Sequence, residues 1–177
     1  GQIGESNQIG NRNNNRRSIL QNNEQTKLNM KRISLNENIY YVGVNDRRKN
    51  LFENNWPLPK GVSYNSYLIK DKKNALIDTI EFGSNDNYLN HIAGLLEGAP
   101  LDYLIVNHME PDHSSMIECV LRRFPDVKIV GNAQTHKILK LYFNIPDSSL
   151  LVVKDGEVLE LGEHRLSFHF IPWVHWP

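Results

Sequence analysis

The chain has few of the features that would place it in a membrane, in an oxidising compartment or on a nucleic acid. A single cysteine, Cys119, stands among its 177 residues, which excludes an internal disulfide and a cysteine-rich zinc site. No apolar run approaches the roughly 20 residues that a membrane-spanning helix needs. Twenty basic and twenty acidic residues balance, so no net charge would attract nucleic acid or anionic lipid. We therefore expect a soluble, cytoplasmic protein without nucleic-acid or membrane partners.

The first 37 residues differ in composition from the rest of the chain. Residues 1–30 contain eight Asn and four Gln and only six large apolar side chains. Such a segment cannot bury enough surface to offset the entropy lost on ordering it. We predict a disordered Asn/Gln-rich tail over 1–37 and one packed domain over 38–177. A targeting presequence is the alternative, but the segment has little amphipathic pattern.

Strands and helices alternate from residue 38 onward. Apolar and β-branched runs predict strands, apolar residues at helical spacing predict helices, and the prolines around Trp56 predict a loop. Mixed elements of this kind indicate an α/β (α+β) domain of layered sheet and helix rather than a bundle. The predicted strands are 39–44, 62–69, 75–78, 101–106, 127–130, 150–153, 157–161 and 165–171, and the predicted helices are 88–96, one that follows residue 115, and 133–142.

Residues 108–113 read HMEPDH and follow a buried apolar run directly. Side chains alternate along an extended segment, so His108 and Glu110 can face one point, while the following turn brings Asp112 and His113 towards it from another side. Two imidazoles and two carboxylates in six positions indicate ligands for two metal ions. His175, in the string PWVHWP at 172–177, offers a further ligand. The alternative is that these are ordinary polar residues of a loop.

Four other residues have two interpretations each. Asp78, at the end of the string ALID, could orient a ligand histidine or could cap the turn, and spacing does not decide between these roles. His136 could lie near the site, but a surface or helix-capping role is favoured. Tyr64 is expected to pack in the core rather than to carry electrons, and Cys119 is expected to be a buried thiol.

Several strings of the sequence, in this order, resemble the flavodiiron proteins, which are also called A-type flavoproteins. The strings are GVSYNSYLI at 61–69, ALIDT at 75–79, NHMEPDHSS at 107–115, GNAQTH at 131–136 and VHWP at 174–177. The resemblance covers about residues 38–177. It implies a metallo-β-lactamase-like αββα sandwich with metals bound at the edges of its sheets.

The same resemblance implies which metal is bound. In the wider superfamily the usual string is HxHxDH, which binds zinc, whereas here Glu110 takes the place of the middle histidine. An anionic oxygen in place of a neutral nitrogen makes the site harder and more negative, which favours iron over zinc. By resemblance, His108, Glu110 and His175 would hold one iron, and Asp112 and His113 would hold the other.

Members of the family reduce dioxygen to water, nitric oxide to nitrous oxide, or both. Their electrons come from an FMN in a flavodoxin-like domain that follows the diiron domain, and the donor is a protein such as rubredoxin or a flavoprotein reductase. A head-to-tail homodimer places the FMN of one subunit against the irons of the other. The resemblance implies these cofactors and partners for the full-length protein.

The sequence departs from the family pattern after VHWP. The family supplies a bridging carboxylate, a further histidine and the flavodoxin-like domain beyond that string. We therefore expect only the N-terminal half of the sandwich in these 177 residues, no flavodoxin-like domain, and no activity from this polypeptide alone. A zinc-dependent hydrolase of the same fold and a non-catalytic fragment are the alternative functions.

Overall fold

One seven-stranded sheet forms the centre of the fold. The structure is a computed structural model that describes residues 33–171 except residues 53 and 84, and it leaves the side chains of residues 85 and 86 undescribed. The strands are β1 Ile33–Ser34, β2 Ile39–Tyr41, β3 Val44–Asp46, β4 Leu51–Phe52, β5 Trp56–Pro57, β6 Val62–Tyr64, β7 Tyr67–Ile69, β8 Ala75–Ile77, β9 Tyr103–Ile105, β10 Lys128–Gly131, β11 Leu150–Val152, β12 Val158–Glu160 and β13 Arg165–Ser167. The sheet has the order β1-β2-β7-β8-β9-β10-β11.

The sheet changes from antiparallel to parallel at β8. The strands β1, β2, β7 and β8 pair antiparallel, whereas β8, β9, β10 and β11 pair parallel. Parallel strands need a crossover, and helices supply it on the way from β8 to β9, β9 to β10 and β10 to β11. The helices are α1 Asn85–Leu96, α2 Pro111–Ser114, α3 Ile117–Arg123 and α4 Ala133–Tyr142, with a short 3-10 turn at Asp147–Ser149.

The two faces of the sheet are covered differently. Alternate residues of the central strands, such as Leu76 and Leu104, pack with Ile92, Val120 and Leu139 of the helices in the main core. Ile105 and other residues of the opposite face pack instead against the hairpin β12–β13. The described residues therefore form one helical layer, one seven-stranded sheet and three two-stranded ladders, β3–β6, β4–β5 and β12–β13. This arrangement agrees with the prediction of the N-terminal half of an αββα sandwich.

The structure corrects three sequence predictions about the strands. The run predicted as strand 39–44 ends at Tyr41 and resumes at Val44. Between these strands only glycine fits at residue 43, because a Cβ there would lie 2.1 Å from the carbonyl oxygen of Tyr64. The run 62–69 is likewise divided between β6 and β7. The predicted loop at Trp56 contains β5, which pairs with β4 in a two-stranded ladder where a proline is tolerated.

The boundary between tail and domain also moves. Ile33 and Ser34 pair with Tyr41 and Tyr40, so the sheet begins at least five residues before the predicted start at residue 38. The rest of the predicted tail, residues 1–32, lies outside the described residues. Within the part of the chain that the structure describes, no helix is long and apolar enough to cross a membrane.

Candidate metal centre

The candidate ligands lie where the parallel strands end. Residues 107–113 continue β9 beyond its carboxyl end, next to Asp78, which follows the carboxyl end of β8. Glu110 has extended dihedrals and is followed by Pro111 at the first position of α2. A backbone N–H at that position has no partner within the helix, so its absence in proline costs nothing. The hydroxyl of Ser114 donates to the carbonyls of Met109 and Glu110 at 3.0 Å each. These bonds fold residues 108–113 into a compact turn.

His108 and Glu110 form the first donor pair. The Nε2 atom of His108 lies 3.2 Å from Oε1 of Glu110, and their side chains are 14% and 15% exposed. The two residues are two positions apart and Glu110 has extended dihedrals, so their contact agrees with the predicted alternation of side chains. An imidazole nitrogen and a carboxylate oxygen thus face each other in a mostly buried position.

Asp112 and His113 form the second donor pair. The Nε2 atom of His113 lies 3.5 Å from Oδ2 of Asp112. The other carboxylate oxygen of Asp112, Oδ1, is buried and has no hydrogen-bond partner among the described residues. A buried carboxylate oxygen without a donor is costly unless a cation or a water compensates it.

The two pairs lie side by side. The rings of His108 and His113 meet edge to face, with centroids 5.4 Å apart. Within residues 33–171, however, no three donor side chains converge on one point, so the described part of the chain offers two pairs rather than a closed site. His175, the fifth predicted ligand, lies outside the described residues.

Asp78 fixes the ring of His113. Its Oδ2 atom accepts from Nδ1 of His113 at 3.2 Å, and its Oδ1 atom accepts from the backbone N–H of Asn107 at 2.8 Å. A carboxylate only accepts, so in the neutral imidazole the bond holds the proton on Nδ1 and leaves the lone pair on Nε2, the atom that faces Asp112. Asp78 therefore does both things that the sequence left open: it orients a histidine and bonds the backbone of the turn.

The bond to Asp78 also changes the charge preference of His113. It is the largest influence on that histidine, and it raises the pKa of His113 although burial acts in the opposite direction. The charges of Asp78, Asp112 and Glu110 add to the increase. The region around the two pairs is therefore strongly anionic, which suits the binding of cations.

The backbone at Asp78 is adapted to this role. Asp78 has a φ of 52°, in the left-handed region that Asp and Asn tolerate better than most residues. Its neighbour Thr79 donates twice to the carbonyl of His113, from N at 2.9 Å and from Oγ1 at 2.7 Å. The segment after β8 thus holds both the ring and the backbone of His113.

His136 and Tyr64 both lie in the interior, and only the second was expected there. His136 is only 5% exposed, so the prediction of a surface or capping role is wrong, and Asn132 caps α4 instead. Burial lowers the pKa of His136 and favours its neutral form. Tyr64 is 4% exposed and packs in the core as predicted, but its hydroxyl also donates to Glu81, a residue that no sequence pattern identified.

Comparison with known proteins gives a consistent result. A family described as "ODP family beta lactamase" matches residues 62–177. Flavo-diiron protein FprA2 of Clostridium acetobutylicum is 35% identical over 149 residues, which are 84% of this chain and 37% of that protein. The anaerobic nitric oxide reductase flavorubredoxin of Salmonella typhi is 32% identical over 147 residues, or 82% of this chain and 31% of that protein. Rubredoxin oxygen:oxidoreductase from Desulfovibrio gigas has a similar structure, with a TM-score of 0.77, 28% identity and coverage of 83% of this chain and 37% of that chain.

The fold and the donor residues define a metallo-β-lactamase-like domain of an oxidoreductase family whose members carry a diiron site. The chain belongs to the ODP family of β-lactamase-like domains found in flavodiiron proteins. It spans about a third of the length of these relatives, from 31% of the Salmonella protein to 37% of the Clostridium protein.

Proposed function

We propose that this chain forms the iron-binding part of a flavodiiron oxidoreductase that reduces dioxygen to water, nitric oxide to nitrous oxide, or both. The observation that carries the proposal is the grouping of the four described ligands. His108 faces Glu110 and His113 faces Asp112, which are the two sets that the family resemblance assigns to two different irons. His175 would complete the first set.

The separations within the pairs suit metal ligands. Two donors that each lie about 2.1 Å from one ion are about 3.0 Å apart at a right angle and about 3.4 Å apart in a tetrahedral arrangement. The observed separations are 3.2 Å for His108 and Glu110 and 3.5 Å for His113 and Asp112. The buried oxygen Oδ1 of Asp112, which has no donor among the described residues, supports the same interpretation.

The chain's own residues supply charge and orientation in this proposal. Glu110 and Asp112 provide anionic oxygens, which compensate the mutual repulsion of two nearby cations. Asp78 keeps the lone pair of His113 on Nε2, so the ring is ready to bind without rotation. Iron held by these residues would supply electrons to the substrate.

The relatives support the finer assignment of substrates and partners. One is named a nitric oxide reductase flavorubredoxin and another a rubredoxin oxygen:oxidoreductase. We propose by analogy that electrons reach the irons from FMN, that rubredoxin or a flavoprotein reductase is the donor, and that the full-length protein is a cytoplasmic head-to-tail homodimer. We also propose that the 177-residue polypeptide alone does not turn over, because the residues that complete both metal sites in the family follow the string VHWP.

Elemental analysis and activity of the full-length gene product test the proposal. We expect two irons per chain, anaerobic reduction of nitric oxide or consumption of dioxygen with a reduced flavin or rubredoxin donor, and no activity from residues 1–177 alone. His113→Ala and Glu110→Ala should lose iron, whereas the matched control His169→Ala, at an exposed position, should retain it. Zinc in place of iron, together with hydrolysis of an ester or amide, would favour the hydrolase alternative and refute the proposal.

A further inference from the structure

A cleft opens beside the segment that holds His113. Its volume is about 350 Å³. The segment runs from Asp78 and Thr79, which both contact His113, through the buried Ile80 to Glu81, whose side chain lines the cleft. The cleft and the candidate metal centre are therefore separated by a short stretch of one chain segment. The charged and hydroxyl-bearing residues of the lining are Asp46, Arg48, Lys49, Tyr64 and Glu81.

Glu81 connects the cleft with the interior. Its Oε2 atom accepts hydrogen bonds from the hydroxyl of Tyr64 and from Nζ of Lys49. The side chains of Lys49 and Glu81 are 22% and 30% exposed, whereas Tyr64 is 4% exposed. One carboxylate oxygen thus joins an ammonium group that water can reach to a hydroxyl that is almost fully buried.

A charge at the candidate centre also affects the pKa of Tyr64. Burial is the main reason why the pKa of Tyr64 is raised, followed by the bond to Glu81 and by the charges of Glu81, Asp46 and Asp112. Tyr64 therefore keeps its proton at neutral pH. A neutral hydroxyl can give one proton and take another in the same step, so it can relay protons without becoming charged.

We propose that Lys49, Glu81 and Tyr64 form a proton-delivery path from the cleft to the metal centre. This inference rests on the proposed function, in which the substrate is reduced at that centre. Reduction of dioxygen to water takes up one proton for each electron, and so does reduction of nitric oxide to nitrous oxide with water as the other product. The electrons come from the reduced flavin, and the protons must come from solvent.

A complete cycle of proton transfers returns all three residues to their starting protonation states. Lys49 first gives an ammonium proton to the Glu81 carboxylate and takes a proton from water in the cleft. The Tyr64 hydroxyl, which donates to Glu81 at rest, then turns, takes the proton of the Glu81 carboxylic acid and gives its own proton towards the reduced substrate, which restores the carboxylate. None of the three residues is a proposed metal ligand, so changing them should leave the iron in place.

The test uses the full-length gene product loaded with iron. We expect Glu81→Gln and Tyr64→Phe to lower kcat about 100-fold, in the range typical of lost general acid–base groups, with KM and iron content unchanged. Glu81→Ala should be partly rescued by formic or acetic acid, which are small enough to enter the cleft. The matched control Glu118→Gln removes an exposed carboxylate that pairs only with Arg122 among the described contacts, and it should keep the wild-type rate.

A second measurement does not depend on activity. Carbon-13 NMR of the tyrosine ring carbon that bears the hydroxyl, in the metal-free protein, should show a lower pKa for Tyr64 in Glu81→Gln than in the wild type, because the carboxylate charge is lost. An unchanged pKa would refute the contact itself. A lowered pKa with full kcat would overturn the path, as would loss of iron in Glu81→Gln or failure of small acids to rescue Glu81→Ala. Absence of iron or of substrate reduction in the wild type would instead refute the proposed function, and the path with it.

Discussion

Asp78→Asn separates the orientation of His113 from the presence of the ligand itself. The substitution keeps the shape of the side chain, tolerates the left-handed backbone, and can still accept from the N–H of Asn107 through its remaining oxygen. Its amide nitrogen cannot accept from Nδ1 of His113 across the present distance of 3.2 Å, but it can donate to that nitrogen. The substitution therefore favours the tautomer with the proton on Nε2, which leaves no lone pair on Nε2 for a metal ion.

The expected effect can be estimated in two ways. A hydrogen bond to a charged group contributes about 1.5–3 kcal/mol. Loss of a partner that orients a metal-binding histidine weakens metal affinity by about 10- to 100-fold, or about 1.4–2.7 kcal/mol. The two ranges agree, so we expect Asp78→Asn to weaken iron affinity by about 10- to 100-fold. We also expect the pKa of His113 to fall, because the bond to Asp78 is the largest influence that raises it.

Chelator competition measures the iron affinity of the full-length protein, and NMR titration of the metal-free protein measures the pKa of His113. Asp102→Asn is the matched control. Asp102 also accepts from a backbone N–H, that of Asn74 at 2.8 Å, and its side chain is 13% exposed, but it lies at the amino end of β9, away from the candidate centre. Asp78→Asn with unchanged iron affinity, or an equal loss in Asp102→Asn, would refute the reasoning.

Three further predictions concern stability. Asp71 accepts from the N–H and Nδ1 of a histidine in the β12–β13 turn, and these bonds lower the pKa of Asp71. Its contribution to the free energy of unfolding is therefore complete above about pH 4, where the unfolded carboxyl is also ionised, and is lost as pH falls towards the pKa of the folded state. Urea unfolding between pH 3 and pH 7 should show this loss in the wild type and not in Asp71→Asn. Leu104→Ala, at a fully buried position, should cost about 2–5 kcal/mol in the free energy of unfolding, whereas Leu141→Ala, at a position 75% exposed, should cost less than about 0.5 kcal/mol; equal costs would contradict the core assignment. Gly131→Ala would place a Cβ 2.9 Å from Cγ2 of Thr135, so it should lower the melting temperature. Adding Thr135→Ser removes Cγ2 and should recover part of that loss. If the effects of the two substitutions simply add, the steric explanation is contradicted.

Local sequence predicted most of the elements because each depends on nearby residues. The helix predicted over 133–142 is α4 with the same bounds, and the buried run 101–106 contains β9. The breaks within strands were not predictable, since Gly43 is required only where its backbone passes the carbonyl of Tyr64, a residue distant in sequence. The pairing of β4 with β5 was missed for a related reason, because a proline rule does not indicate when an edge position tolerates proline.

For the candidate site, the string at 108–113 was sufficient to select four candidate ligands, and the family resemblance assigned them to two sets. Their chemistry and their alternation along an extended segment are properties of consecutive residues. The sequence could not decide what Asp78 does, because its bond to His113 joins residues 35 positions apart. Nor could it find that His136 is buried, since the spacing of one histidine at the start of a helix does not show which way that helix packs.

The sequence by itself determined the donor types, the family and the order of the elements, because these follow from residue identity and short-range periodicity. Only the tertiary structure decided which side chains support the ligands: the parallel pairing of β8 with β9 brings Asp78 next to His113, and the packing of β6 against the segment after β8 brings Tyr64 to Glu81. Contacts of this kind depend on the register of strands that are far apart in the chain. A register is fixed by the packing of the whole sheet, which no short stretch of residues contains.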